Sequence, residues 1–521
     1  MQVTDLVSPS QDICNPSMNH RGASVIDAVC SRYCAYYKPD RKEDTACEGF
    51  NFFQRLSTHT PAILLSLRPR KDHGFKDHYH HLLYHALCKR CDFLIDGCDF
   101  TDPDSRGDPL PCGGYIAADF LLEQSIITES QLTETLTSEQ GYVALRDDCV
   151  LRLLESPFLY DITNDELYEL DQQGFAFLKE CNGSRQLAEL PFDKDFLETC
   201  LKEGLLVVGP RRGLRHFVLR QSPVPSLRYL ELQLTSRCNL KCRHCYLGEP
   251  TRKDLPLTSV LSVLGEFDQM QGLRVLFSGG EPLMYPDLRA LNEALPRYGV
   301  RKVLLTNGTM ISSKNHADWS FFDEIQFSLD GLREGHEQIR GAGTFDAAMD
   351  GMDAVREKGI PISIATMVHR YNLDEFEALA KWIGDQEILE WSIDVPCAAG
   401  RLLENRDFLP TPEEAAPFLR YATGGSYHGT EDPFACGYHL CTVTPEGAVL
   451  KCGFFEDEPL GSLEEGLEVS WKRIRPVPLS DLECASCVHL LDCKGGCRFR
   501  ATSLLGKDPV MCALYGVTEN V

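Results

Sequence analysis

Six short apolar runs alternate with amphipathic helical patterns between Leu230 and Val395, and this rhythm restricts the fold more than any other feature of the chain. Leu230-Glu-Leu-Gln-Leu234 alternates apolar and polar residues; runs ending near Phe277, Leu305 and Phe327, and the segments 361–367 and 389–395, also read as strands. Helical patterns fall between them, near 258–271, 284–297, 345–358 and 374–386. A strand–helix series of this kind predicts an α/β domain with a parallel sheet, whose strand exits gather at one end.

Those exits carry the chemistry. The first strand is followed by Thr235-Ser-Arg-Cys-Asn-Leu-Lys-Cys-Arg-His-Cys-Tyr246, which sets Cys238, Cys242 and Cys245 on one loop. Iron–sulfur cubanes normally take four thiolates, so a three-cysteine loop leaves one iron open. The second strand runs into Ser278-Gly-Gly-Glu-Pro282; glycines let a backbone approach a ligand closely, and a carboxylate accepts hydrogen bonds from an ammonium group. The third ends at Thr306-Asn-Gly308 and the fourth at Ser328-Leu-Asp-Gly331.

Each element alone is an ordinary turn. Together, in this order, they resemble the radical S-adenosylmethionine (radical SAM) family. The resemblance implies that residues 226–405 form a partial (β/α)6 TIM-like barrel, with Cys238, Cys242 and Cys245 holding a 4Fe-4S cluster. It also implies S-adenosylmethionine contacts from His244, Ser278, Gly279, Gly280, Glu281, Asn307, Ser328 and Asp330. Among these, Glu281 would face the methionyl amine, Ser328 and Asp330 the ribose, and His244 the adenine.

Residues 412–521 carry eight further cysteines, the ligand count of two fully coordinated cubanes. The spacing Cys484-x2-Cys-x5-Cys-x3-Cys497, preceded by Gly447-x4-Cys452 and followed by Cys512, resembles the SPASM iron–sulfur domain of peptide-modifying radical SAM enzymes. The resemblance implies one auxiliary cluster on Cys436, Cys441, Cys452 and Cys497 and another on Cys484, Cys487, Cys493 and Cys512. Two zinc sites are the alternative, since two-residue cysteine spacings also suit tetrahedral zinc.

With 23 cysteines in 521 residues, a disulfide framework must be weighed, but the amino terminus shows no basic stretch followed by an apolar core, and no apolar run approaches a membrane span. An intracellular, cytoplasmic chain without membrane association is expected, where clustered cysteines indicate metal. A formal charge of −25 argues against nucleic-acid partners, which need clustered Lys and Arg.

A chain this long calls for several domains. Residues 141–218 read as one small unit: strands Tyr142–Leu145 and Val150–Leu154, an amphipathic helix from Asn164 to Cys181, a second helix Lys194–Glu203, and a strand Leu205–Val208. This resembles the winged-helix-like PqqD-type peptide-recognition domain, which takes a precursor's leader as an added strand. A DNA-reading winged helix is its structural competitor, disfavoured by the Glu and Asp on these helices. Residues 1–125 hold Cys30, Cys34 and Cys47, then Cys88, Cys91, Cys98 and Cys112, with Cys14 apart; one further zinc or iron–sulfur site is expected, with ligands enough for two. Of the histidines at 73, 78, 80, 81 and 85, helical spacing puts 78, 81 and 85 on one face, as ligands or as plain surface, the surface reading being preferred.

The combination implies three 4Fe-4S clusters, a 5′-deoxyadenosyl radical that abstracts a hydrogen atom, a ribosomally made precursor peptide as substrate, and an electron donor such as flavodoxin or ferredoxin. One departure narrows the chemistry: sulfatase-maturing relatives place a basic aspartate after the glycine-spaced cysteine, whereas here Gly453 follows Cys452. Cys397, at the end of the sixth strand, is a candidate hydrogen donor or a core thiol, the latter being commoner. Maturation of a small-molecule cofactor or a folded enzyme, and a non-catalytic iron–sulfur scaffold, are the alternative functions.

Overall fold

The computed structural model describes residues 142–190, 193–209, 215–423 and 433–517; before these it describes 3–5, 25–30, 33, 48–59, 63, 64, 67, 79–88, 111–129, 131 and 132. Two compact units form, one from Val150–Glu169 with Val218–Val521 and Met1–Thr4, the other from Asp5–Cys149 with Leu170–Phe217.

The larger unit is built on a nine-stranded sheet. Its barrel strands are β1 (Tyr229–Thr235), β2 (Arg274–Gly279), β3 (Arg301–Thr306), β4 (Glu324–Ser328), β5 (Ile362–Met367) and β6 (Ile388–Asp394), adjacent in sequence order and parallel. Each expected strand is present. Three more, β7 (Leu440–Val443), β8 (Ala448–Leu450) and β9 (Gly461–Ser462), extend the sheet from the outer edge of β1, with β7 parallel to β1. Crossover helices α1 (Leu257–Gln269), α2 (Leu288–Ala294), α3 (Arg333–Arg340), α4 (Thr344–Arg356) and α5 (Phe376–Gly384) cover the outside. In α1, Val260, Val263, Leu264 and Phe267 recur at helical spacing and are all buried. Against that layer β1 turns Leu230, Leu232 and Leu234, leaving Glu231 and Gln233 on the opposite, inner face.

The amino-terminal strand ends close on a buried ionic cluster. Arg274, Arg301 and Glu324 open β2, β3 and β4, and Glu324 accepts from Arg301 Nη2 at 2.8 Å and from Arg274 Nη2 at 3.2 Å. The hairpin of strands Pro157–Asp161 and Glu166–Glu169 completes it: Asp165 accepts from Arg274 Nη1 at 3.0 Å, while Arg301 Nη1 donates to the carbonyls of Ile162 and Thr163. The segment 141–218 is thus divided between the two units, because 150–169 is tied to the barrel strands.

This hairpin also corrects the helix expected from Asn164 to Cys181. Asn164 lies in a turn, its backbone N–H and side-chain amide both donating to Asp161. Glu166–Glu169 is a strand, and the helix runs only from Gln172 to Glu180, where Asp171 Oδ1 caps Gly174 N at 2.6 Å.

In the smaller unit, strands Asn182–Gln186, Tyr142–Leu145 and Leu206–Gly209 form an antiparallel sheet in that order, accompanied by the Gln172–Glu180 and Lys194–Lys202 helices. Helices Glu48–His59 and Gly113–Glu123 meet at paired glycines, since a Cβ on Gly114 would lie 2.3 Å from the Gly49 Cα. Phe52, Phe53, Tyr115 and Leu121 are buried around that crossing. Among the described residues, no helix is long and apolar enough to cross a membrane.

Candidate active site

The carboxyl ends of β1 to β4 bring the strand-exit motifs together. The cysteine loop begins under tight restraint: Thr235 Oγ1 donates to Asp254 at 2.6 Å, Arg237 N donates back to Thr235 Oγ1, and the Arg237 guanidinium pairs with the same carboxylate at 2.8 Å. Cys238, Cys242 and Cys245 are half-buried on this loop. Their mutual proximity shows in Cys238, whose thiol is pushed up to about 11, first by burial and further by Glu281, Cys242 and Cys245. Bound iron inverts that preference, since thiolates are the ligand form.

Gly279 and Gly280 are required by the loop itself. A Cβ at Gly279 would stand 2.3 Å from the Thr235 carbonyl oxygen, and one at Gly280 equally close to that of Arg237. The backbone then stitches the two together, Gly280 N donating to Thr235 O and Glu281 N to Arg237 O, each at 2.8 Å. Glu281 is fully buried, and its carboxylate accepts from Thr306 Oγ1, Asn307 N and Leu283 N. It therefore joins the ends of β2 and β3. Asn307 donates to Asn239 Oδ1 on the cysteine loop, and Ser278 Oγ donates to Glu231 Oε1 at 2.7 Å. Ser328 ends β4 and is half-buried.

Asp330 is likewise enclosed. Its carboxylate accepts from Arg340 Nε at 2.7 Å and Met367 N at 2.9 Å, and His244 Nε2 stands 3.6 Å away. Burial would raise its pKa, but Arg340 and the surrounding imidazoles hold it well below the usual carboxylate range. Arg340 Nη1 also reaches to 4.0 Å from Cys242 Sγ. Sequence reasoning missed Arg340, although His336 and Arg340 stand four apart before a helix-ending Gly341. His244 is lowered to about 4, chiefly by burial, and its Nδ1 is buried without a partner.

His336 gives a pH signature. Burial first, then Arg340, pushes it down to about 3 from 6.5. The unfolded chain takes up this proton near pH 6.5 while the folded chain does not. Stability is therefore full above that pH and falls as pH drops toward 3. In urea unfolding between pH 4 and 6, His336→Gln should flatten the pH dependence by about 1.4 kcal/mol per unit; an unchanged slope would sink the assignment.

Glu231 is the inner-face residue that pattern reading passed over. It accepts from Ser278, from Tyr246 Oη at 3.2 Å and from Thr442 Oγ1 at 2.8 Å, while Gln233 Nε2 donates to Tyr246 Oη. A Cβ on Gly453 would lie 3.2 Å from Glu231 Oε2. Position 453 thus backs directly onto a carboxylate from β1. The Tyr246 ring packs against Phe454 at 4.8 Å.

The carboxyl-terminal cysteines fall into two groups. Cys484, Cys487, Cys493 and Cys512 converge, the last two each raised by burial and by the charges of their neighbours. Cys436, Cys452 and Cys497 converge as well, with Arg498 N donating to Cys436 Sγ at 3.3 Å and Cys497 N to Asp508 at 2.8 Å. Cys441 is not brought to them; it is buried on β7 within the apolar core. In the smaller unit Cys30, Cys88 and Cys112 are half-buried, while Cys14, Cys34, Cys47, Cys91, Cys98, His73 and His78 lie outside the described residues. Among the described residues, no three His, Cys, Asp or Glu side chains close round a single metal ion. Three thiols on one loop with an open side, and two further thiol groups, fit the larger span of iron–sulfur clusters.

A thiol loop at the catalytic end of an open parallel barrel, stitched to a Gly-Gly-Glu turn, defines an iron–sulfur enzyme of the S-adenosylmethionine-cleaving class. The Radical SAM superfamily profile matches residues 232–383. Mycofactocin maturase MftC of Mycolicibacterium smegmatis is 30% identical over 321 residues, 54% of this chain and 81% of the relative. PqqA peptide cyclase of Gluconobacter oxydans is 29% identical over 350 residues, 57% of this chain and 94% of the relative. The AdoMet-dependent heme synthase of Oleidesulfovibrio alaskensis is 25% identical over 331 residues, 54% of this chain and 85% of the relative. Among solved structures, Streptococcus suis SuiB bound to its precursor peptide SuiA shares the fold, with a TM-score of 0.53 at 16% identity, covering 70% of this chain and 98% of that one. The chain belongs to the radical SAM superfamily, whose members use a 4Fe-4S cluster and S-adenosylmethionine.

Proposed function

We propose that this enzyme is a peptide maturase, abstracting a hydrogen atom from a ribosomally made precursor whose leader is held by the part of 141–218 that lies in the smaller unit, residues 142–149 with Leu170–Phe217. The observation that carries the reading is the antiparallel sheet Asn182–Gln186, Tyr142–Leu145, Leu206–Gly209 with its two side-chain-capped helices. Such a sheet offers edge strands to an extended peptide. The maturase and peptide-cyclase relatives support the same substrate class.

When bound, the reduced open-iron cluster supplies the electron that cleaves S-adenosylmethionine to a 5′-deoxyadenosyl radical. Cys238, Cys242 and Cys245 would hold that cluster, and the two carboxyl-terminal thiol groups would hold auxiliary clusters that accept an electron from the substrate. His244, Ser278, Asn307, Ser328 and the Gly279–Gly280 backbone would line the cofactor, while Glu281 and Asp330, both engaged inside the protein, fix the walls. Glu231 lies on the inner face beside Gly453, its Oε2 accepting from Thr442 Oγ1. A flavodoxin or ferredoxin is the electron donor this chemistry calls for, in a reducing cytoplasm. The amino-terminal cysteines would hold a further zinc or iron–sulfur site.

The heme-synthase relative supports a second reading, a small-molecule or cofactor substrate. One experiment separates the two. The iron-loaded, reduced enzyme is given S-adenosylmethionine under anaerobic conditions, and 5′-deoxyadenosine is assayed with and without a short precursor-type peptide. A rise of at least ~10-fold with peptide is expected. Cleavage indifferent to peptide would put the small-molecule reading first, and no cleavage from a loaded enzyme would favour the scaffold.

A further inference from the structure

We propose that Cys397, and not Cys441, is the fourth thiolate ligand of the cluster on Cys436, Cys452 and Cys497, an inference that rests on the auxiliary-cluster reading above. Strand register removes Cys441. In β7, Cys441 pairs with Leu230 of β1 and Thr442 pairs with Glu231. Paired residues of parallel strands share a face. Thr442 therefore points with Glu231 to the inner face, where the two side chains hydrogen-bond at 2.8 Å. Cys441 points with Leu230 to the other face, into the apolar layer packed on the helices. Among the described residues its thiol donates only to the neighbouring Thr442 carbonyl, at 3.8 Å.

The Cys452 loop is on the inner side, since Gly453 backs onto Glu231 Oε2. A cubane there would have the sheet between itself and the Cys441 sulfur. Moving that sulfur across would flip β7 and bury Thr442 without its partner, because a strand's side chains change face together.

Cys397 is on the correct side by a different route. It follows β6 and is 5% exposed, while Cys436 is fixed beside the Cys497 loop by the 3.3 Å bond from Arg498 N. Arg500 secures the approach: Nη1 donates to Asp394 Oδ1 at 2.9 Å and to the Val395 carbonyl at 3.2 Å, while Nη2 pairs with Asp508 at 2.9 Å. Asp508 in turn accepts from Cys497 N. One arginine and one aspartate thus fix the segment before Cys397 against the loop of Cys497. The fourth ligand then comes from the barrel itself, so the cluster joins the last barrel strand to the carboxyl-terminal region.

The test uses the full chain, reconstituted anaerobically, with iron and sulfide per chain and the electron paramagnetic resonance of the reduced protein as readouts. Cys397→Ala should lose up to about four irons, or retain an altered three-iron signal, as should Cys436→Ala. Cys441→Ala should keep wild-type iron and spectrum. Cys397→Ser, which keeps the volume and offers an oxygen, should hold iron with a shifted signal and so separates lost ligation from lost folding. Iron lost from Cys441→Ala and retained in Cys397→Ala would overturn the assignment. Full iron in Cys397→Ala with product formation abolished would overturn it too, returning Cys397 to a hydrogen-donor role. If Cys436→Ala also keeps every iron, the auxiliary-cluster reading itself fails and this inference falls with it.

Discussion

Replacing Cys242 with alanine is expected to abolish S-adenosylmethionine cleavage while leaving the carboxyl-terminal thiol groups and their iron in place. The loss should reach at least ~10⁶-fold, the lower range of enzymatic acceleration, because the cluster is the reagent and no side chain substitutes for it. Loop collapse is not the expected cause. The loop is held from outside by Thr235, Arg237 and Asp254 and by the Gly280 and Glu281 backbone, none of which depends on the Cys242 sulfur. Arg340, 4.0 Å from that sulfur, keeps its pairing with Asp330 in the variant. Anaerobic 5′-deoxyadenosine assay with iron analysis measures both halves, and retained cleavage would refute the mechanism.

Glu324→Gln is expected to be the most damaging change to stability, costing about 3–5 kcal/mol, the range for removing one partner from a buried ion pair. Glu324 is 1% exposed and faces Arg274 and Arg301, themselves 4% and 1% exposed. Burial alone would raise its pKa, but the two guanidiniums and Ser363 hold it low. Its contribution is therefore complete above the unfolded carboxylate's range near 4.5 and is lost as pH falls below it. Denaturant unfolding at neutral pH measures the loss. Per-molecule cleavage by the folded variant should be unchanged, because this cluster sits at the strand ends opposite the cysteine loop.

The barrel was legible because its strands are continuously or alternately apolar and each crossover helix but one carries an apolar stripe. That exception is α3, Arg333-Glu-Gly-His-Glu-Gln-Ile-Arg340, whose Ile339 is its single aliphatic side chain; buried His336 and the Arg340–Asp330 pair anchor it instead. The Asn164 helix was misread because Leu167, Leu170 and Phe177 also suit a helical period, and nothing local shows that Asp161 draws Asn164 into a turn. Cysteine spacing identified the thiol-bearing segments but not the facing of each thiol. Facing depends on strand register with a partner distant in sequence, which is why the spacing alone put Cys441 among the ligands although its strand turns it into the apolar layer. Similarly, Glu281 and Asp330 were readable as site residues, whereas their engagement by backbone and arginine depends on loops from other strands.

The pairing of β7 with β1 also has a consequence for how the molecule is made. Leu440 meets Tyr229 across roughly 200 residues of intervening chain. During synthesis the strand that leads into the cysteine loop waits with an open edge until residues 440–443 have emerged, and such edges invite wrong partners. Assembly is thus expected to be slow and vulnerable to chain interruption, with shortened products prone to aggregate.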